Sequence, residues 1–96
     1  IGAAEAKDKK LWDGEWSGAW GGRVTAKIVV KDGRVVEYDY NGRTLSLGST
    51  HASGDTLTFA GTRPDFVITM KRMTDNSADA RYHGPDGEGE AILSRQ

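Results

Sequence analysis

The chain has 96 residues, no cysteine, two histidines, and 13 basic against 14 acidic side chains for a formal charge of −1. That size implies one domain, residues 12–96, preceded by a short segment, residues 1–11. Its core must be well made, because a chain of this length buries only about 60–65% of its unfolded surface. A disulfide framework and a thiolate metal site are excluded, and the charge balance argues against a dedicated nucleic-acid binder.

The opening stretch Ala3 to Lys10 is rich in Ala, Lys and Glu and suits a helical turn or an irregular segment. Ala4-Glu5-Ala6 has the small-residue pattern of a signal-peptidase site, which points to a periplasmic or secreted protein. Apolar runs such as Ile28-Val29-Val30 fall far short of a membrane span.

From Trp12 onward the hydrophobic period is two, the period of an extended strand. Trp12, Gly14, Trp16, Gly18 and Trp20 share one face, so all three tryptophans point the same way. Val24, Ala26, Ile28 and Val30 form the inner face of the next strand, then Val36, Tyr38 and Tyr40, with Val29 and Val35 as an outward pair. A three-residue turn Lys31-Asp32-Gly33 is expected between these two, because it sets Ile28 against Val36, Ala26 against Tyr38 and Lys27 against Glu37. Asn41-Gly42 is a strong two-residue hairpin signal, and it sets Tyr38 against Leu45 and Val36 against Leu47.

The inward set continues with Arg43, Leu45 and Leu47, and after Ser53-Gly54-Asp55 with Leu57 and Phe59. Gly61-Thr62-Arg63-Pro64-Asp65 then leads to Phe66, Ile68 and Met70. A three-residue Thr74-Asp75-Asn76 turn precedes Ala78, Ala80 and Tyr82, and Gly84-Pro85-Asp86-Gly87 precedes Gly89, Ala91, Leu93 and Arg95. That last hairpin sets Arg81 opposite Glu90 on the outside. The expected fold is all-β: a single antiparallel eight-stranded up-and-down β-barrel, with a flattened two-sheet sandwich as the alternative. Closure pairs the first strand with the last and removes two exposed edges.

Gly14-Glu15-Trp16 opening the first strand, with Arg95 ending the last, resembles the calycin superfamily and its lipocalins in particular. The resemblance implies a structural role for Gly14, Trp16 and Arg95, with the arginine packed on the tryptophan at the closed end of a ligand-binding barrel. The chain is much shorter than a lipocalin and has no long loop after its first strand, which argues against a roomy cavity. The size also resembles small periplasmic barrel inhibitors of lysozymes and proteases, and Ser77-Ala78-Asp79-Ala80-Arg81-Tyr82 is similar to a loop motif of the former.

Following the strand directions separates two ends. One collects Trp12, Trp16, Val30, His51, Leu57, Arg72 and Arg95; the other collects Trp20, Tyr40, Arg43, Arg63, Phe66 and Tyr82. Aromatic walls with inward guanidinium groups suit a small amphipathic or anionic ligand, with Asp65 or Asp86 neutralising Arg43 when none is bound. Against this stands the plain alternative that the aromatics simply fill the interior and Arg43 snorkels to water.

His51 and His83 fall on different strands, so no catalytic zinc set is expected. Asp86, Glu88 and Glu90 follow the Gly-Pro-Asp-Gly turn and could attract a cation weakly, but they lack a calcium-loop pattern and a solvated turn is the better reading. No nucleophile motif and no facing carboxylate pair is present, so no enzyme, no cofactor and no metal is expected. The leading expectation is non-enzymatic ligand binding at the end bearing Tyr40, Arg43 and Tyr82. A protein-binding barrel acting through its loops, such as a lysozyme or protease inhibitor, is the alternative.

Overall fold

Alternating inward residues make every segment from Gly14 to Arg95 extended, and short turns force neighbours to pair antiparallel. The computed structural model describes residues 11–62, 66–85 and 87–96. These form nine strands: β1 Gly14–Trp20, β2 Val24–Lys31, β3 Arg34–Tyr40, β4 Arg43–Thr44, β5 Leu47–Ser53, β6 Thr56–Gly61, β7 Val67–Thr74, β8 Ser77–Gly84 and β9 Gly87–Arg95. All belong to one antiparallel sheet in the order β4-β3-β2-β1-β9-β8-β7-β6-β5, curled strongly into a half-barrel. Expectations for the segment 1–11 (Leu11 apart) and for Arg63, Asp65 and Asp86 lie outside the described residues.

First and last strands are neighbours within the sheet, and its two end strands are β4 and β5. Trp16 stands opposite Arg95 and Ser17 opposite Ser94, and further along the Gly21 N–H donates to the Glu90 carbonyl at 2.9 Å. Gly18 lies between those points because nothing larger fits: a Cβ there would sit 2.5 Å from the Ile92 carbonyl oxygen and 2.8 Å from Leu93 Cδ2. The concave face holds a wholly apolar core in which Trp12, Trp16, Tyr38, Phe59, Ile28, Leu57, Ile68, Met70 and Leu93 are fully buried. Ala78, Ala80 and Ala91 give these large side chains room.

Four details depart from the expectations. The β2–β3 hairpin turns on Asp32-Gly33 alone, both at positive φ (53° and 75°), with Lys31 opposite Arg34 and Val30 opposite Val35. A bulge follows, so Val29 faces Glu37, Ile28 faces Tyr38 and Lys27 faces Asp39. The extra residue is Val36, which turns outward while Val35 is buried, and no outer Val29–Val35 pair exists. A type I′-like turn matches the strand twist, and the bulge then restores Tyr38 to the core. Likewise Thr74 pairs with Ser77 across a two-residue turn, with a register shift that leaves Met73 exposed. Ser53 pairs with Thr56, so that turn is also two residues long.

The fourth departure is the expected single strand from Arg43 onward. Asn41-Gly42 makes its turn, at φ 53° and 81°, and the Leu45 N–H still donates to the Tyr38 carbonyl at 2.9 Å. At Leu45-Ser46 the strand breaks into β4 and β5, and the bulge at Val36 prevents the Val36–Leu47 pairing. The backbone ladder is therefore open between β3 and β5. There a side chain substitutes for a backbone partner: the Val35 N–H donates to Thr50 Oγ1 at 3.1 Å.

Replacing Trp16 with alanine should cost about 3–5 kcal/mol in denaturant unfolding, the usual range for a large buried aromatic. Gly18→Ala should destabilise by about 1–3 kcal/mol, because its methyl meets the Ile92 backbone carbonyl on β9 as well as the Leu93 side chain. An alanine at Gly18 that left the unfolding midpoint unchanged would contradict this close approach of β1 and β9.

Candidate functional site

The two ends of the half-barrel differ in chemistry because the sequence loads them differently. At one end the Arg95 guanidinium lies 4.7 Å from the Trp16 ring centroid. Its Nη1 donates to the carbonyls of Leu11 at 2.7 Å and Asp13 at 3.2 Å, and its Nη2 donates to the carbonyl of Asp75. Trp16 Nε1 donates to the Trp12 carbonyl at 2.9 Å, with the two indoles 5.4 Å apart. Arg72 reaches Asp55 at 3.3 Å and Asp75 at 3.0 Å, and the Gly33 N–H donates to Asp13 Oδ1 at 3.1 Å. This end is stitched shut by donors that are already engaged.

The opposite end is aromatic. Tyr82 stacks on Phe66 with centroids 6.0 Å apart at 17°, and lies 5.8 Å from Trp20 and 6.5 Å from Tyr40. Tyr38 sits beneath, 5.5 Å from Phe66 and 5.6 Å from Phe59. Trp20 Nε1 donates to the buried Tyr38 hydroxyl at 2.9 Å, which satisfies an indole that is only 7% exposed. Burial raises the Tyr38 phenol above its ordinary pKa of 10.0, and the Trp20 hydrogen bond opposes that shift.

Trp20, Gly21, Tyr40, Tyr82, Gly87, Glu88 and Gly89 line an open cleft of about 250 Å³ at this mouth. Of the residues the sequence singles out, Trp20, Tyr40, Phe66 and Tyr82 come together here. Arg43 does not point into a pocket: it stands opposite Tyr40 across the β3–β4 ladder, exposed, and is not part of the cleft lining. An edge strand of two residues cannot hold a long cation inward, so the stem runs to water. Arg63 lies outside the described residues.

Glu88 is the lining residue that sequence reasoning missed. Strand periodicity puts it on the outer face, where it pairs with His83 at 3.1 Å, yet the glycines on either side expose it at the rim.

Outside the mouth, Lys27 bridges Glu15 at 3.5 Å and Glu37 at 3.4 Å, and these two carboxylates raise its pKa. Asp39 is held below its ordinary value, chiefly by the 2.7 Å hydrogen bond from Thr44. Arg81 pairs with Glu90 at 3.4 Å, across the register expected from the sequence. These are solvated contacts of the outer face and contribute little to stability. Among the described residues no cluster of three or more His, Asp or Glu is placed to hold a metal, and no helix is long and apolar enough to cross a membrane. No protein-family model matches the chain, and neither the curated proteins nor the solved structures contain a significant match to it.

Folded Tyr38 keeps its proton at pH values where the unfolded chain has released it. The folded state then binds more protons than the unfolded one, so stability is full below about pH 10 and falls as pH rises beyond the ordinary phenol value of 10.0. Urea unfolding across that range should show the decline. Tyr38→Phe should lower the baseline, by leaving Trp20 Nε1 unpaired, and flatten the alkaline slope; an unchanged slope would place the titrating group elsewhere.

Proposed function

We propose that this protein binds a small amphipathic ligand, without catalysis, at the aromatic mouth. The observation that supports the reading is the open cleft between Trp20, Tyr40 and Tyr82, set over a core that leaves the concave face filled. The ligand's apolar part lies against the rings, and its polar part stays at the rim beside Glu88. A concave, mostly aromatic surface with few polar groups is the usual form of a small-molecule site. The cleft is shallow, so the site recognises part of a ligand and does not engulf a whole one.

The same reading takes β4 and β5 as one interrupted strand of an eight-stranded barrel, with Val35 and Thr50 at its seam. The Arg95–Trp16 stacking, with Gly14 beside it, agrees with a lipocalin-like closed end. A Cβ at Gly14 would fall 2.9 Å from Arg95 Cδ, so the glycine makes room for that arginine's stem.

Titration with amphipathic small molecules should produce a saturable change in tryptophan fluorescence through Trp20. Tyr82→Ala should weaken the ligand by about 1–2 kcal/mol, the worth of a lost aromatic contact and its area. Arg43 is exposed and outside the cleft lining, so Arg43→Ala should leave ligand affinity essentially unchanged. Saturable binding that survives loss of Tyr40 and Tyr82 would move the site away from the mouth.

A further inference from the structure

We propose that the head group taken by the mouth is a cation of the quaternary or methylated ammonium class. It is held against the faces of Trp20, Tyr40 and Tyr82, with the Glu88 carboxylate beside it. This inference rests on the cleft reading above and adds the sign of the ligand's charge.

The arrangement of the rings is the first support. Trp20 and Tyr82 meet at 59° with centroids 5.8 Å apart, and Tyr40 and Tyr82 meet at 31° and 6.5 Å. Tyr40 and Tyr82 line the hollow with Trp20, 7% exposed, set deeper, and aromatic faces attract cations and repel anions. An onium head group has the further advantage that its methyl groups are apolar, so it loses little hydration on entering.

Charge is the second support. Among the described residues lining the cleft, Glu88 is the one carboxylate, and there is no Lys, Arg or His. Its Oε1 meets His83 Nδ1 at 3.1 Å, and a carboxylate with about four acceptor positions has capacity left for a second cation. Among the described residues, the arginines nearby do not offset it. Arg43 is outside the lining, and Arg81, in the adjoining depression, is engaged by Glu90 at 3.4 Å. Among the described residues lining the cleft, an anion would meet the neutral phenols of Tyr40 and Tyr82 and backbone, but no cationic side chain.

The floor is the third support. A Cβ at Gly89 would lie 3.8 Å from Trp20 Cε3 and 3.9 Å from Tyr82 Cβ, in ordinary contact with both. Glycine therefore keeps open a methyl-sized space between two of the walls, and alanine can fill it without a clash.

Three probes of one shape and different charge test the inference: choline, neutral 3,3-dimethylbutan-1-ol and anionic 3,3-dimethylbutanoate. Each is titrated into the full chain and followed by tryptophan fluorescence and by amide chemical shifts of residues 20–21 and 87–89. Choline should bind about tenfold tighter than the neutral alcohol, a ratio in the range of desolvated cation–π contacts. Glu88→Gln and Tyr40→Leu, both at exposed positions, should lower choline affinity several-fold and that of the alcohol by much less. Gly89→Ala should weaken all three probes while the unfolding midpoint holds. Equal affinities, or a preference for the carboxylate, would overturn the cation inference and leave the cleft standing as the site. If none of the three, and none of a series of fatty acids and aromatic carboxylates, perturbs these residues, the cleft reading falls as well.

Discussion

When the Arg95 guanidinium settles over the Trp16 indole, it joins the two strands that lie farthest apart in the chain. The remaining donors of the same group then take the carbonyls of Leu11, Asp13 and Asp75, so one side chain ties the entry to β1, the end of β9 and the β7–β8 turn together. Such a contact brings a large loop-closure entropy cost, which burial of three tryptophans and the apolar core must offset. The curl of the sheet follows from it. Once β1 and β9 are adjacent, each half of the chain can only wind away from that seam, β2 to β4 on one side and β8 to β5 on the other.

The stitched end and the aromatic end consequently have different mechanical character. Near Arg95 and Arg72, turns are fixed by charged donors on carbonyls and carboxylates. Near Tyr40, the wall of the mouth is carried by a hairpin whose second strand has only two residues in the ladder. Few paired backbone groups and few buried neighbours give such a segment a low local opening free energy. Under the proposed function, the rim is the part that would adapt to an occupant while the Trp12–Trp16 layer stays fixed. The Trp20–Tyr38 hydrogen bond marks the boundary between the two regimes, since it ties the deepest ring of the mouth to the core.

Much of this was legible in the residue pattern. The single inward face of Trp12, Trp16 and Trp20, the alternation of Leu57 with Phe59 and of Ile68 with Met70, and the small residues Ala78 and Ala80 all read correctly, because period two is enforced by burial on one side. The Arg95–Trp16 meeting followed from pairing the first strand with the last. What failed was local register at Asp32-Gly33 and at Asp75-Asn76. A bulge has no compositional mark, and it lets a two-residue turn coexist with apolar pairing that otherwise demands three residues. The break at Leu45-Ser46 was hidden for a related reason: it follows from Val36 leaving the ladder, an event on the neighbouring strand. At the mouth the aromatics were found by their face, whereas Glu88 was missed because a rim residue between glycines can line a cleft from the outer face.

The interrupted fourth strand has a colloidal consequence. An open ladder is a template on which another chain's strand can grow, and a protein with such an edge risks polymerising. Here β4 adds only two residues to one edge, leaving the first part of β3 without a ladder partner on that side, and the other edge runs Leu47-Gly48-Ser49-Thr50-His51-Ala52-Ser53. That stretch offers an incoming strand hydroxyls, an imidazole and a glycine in place of an apolar strip, and the Thr50 hydroxyl already occupies the nearest amide across the gap. A self-templating, fibril-forming segment needs high β-propensity and a dry side-chain zipper, and this edge has neither. The molecule keeps its sheet open at little risk of fibre growth, through the composition of seven residues rather than through closure.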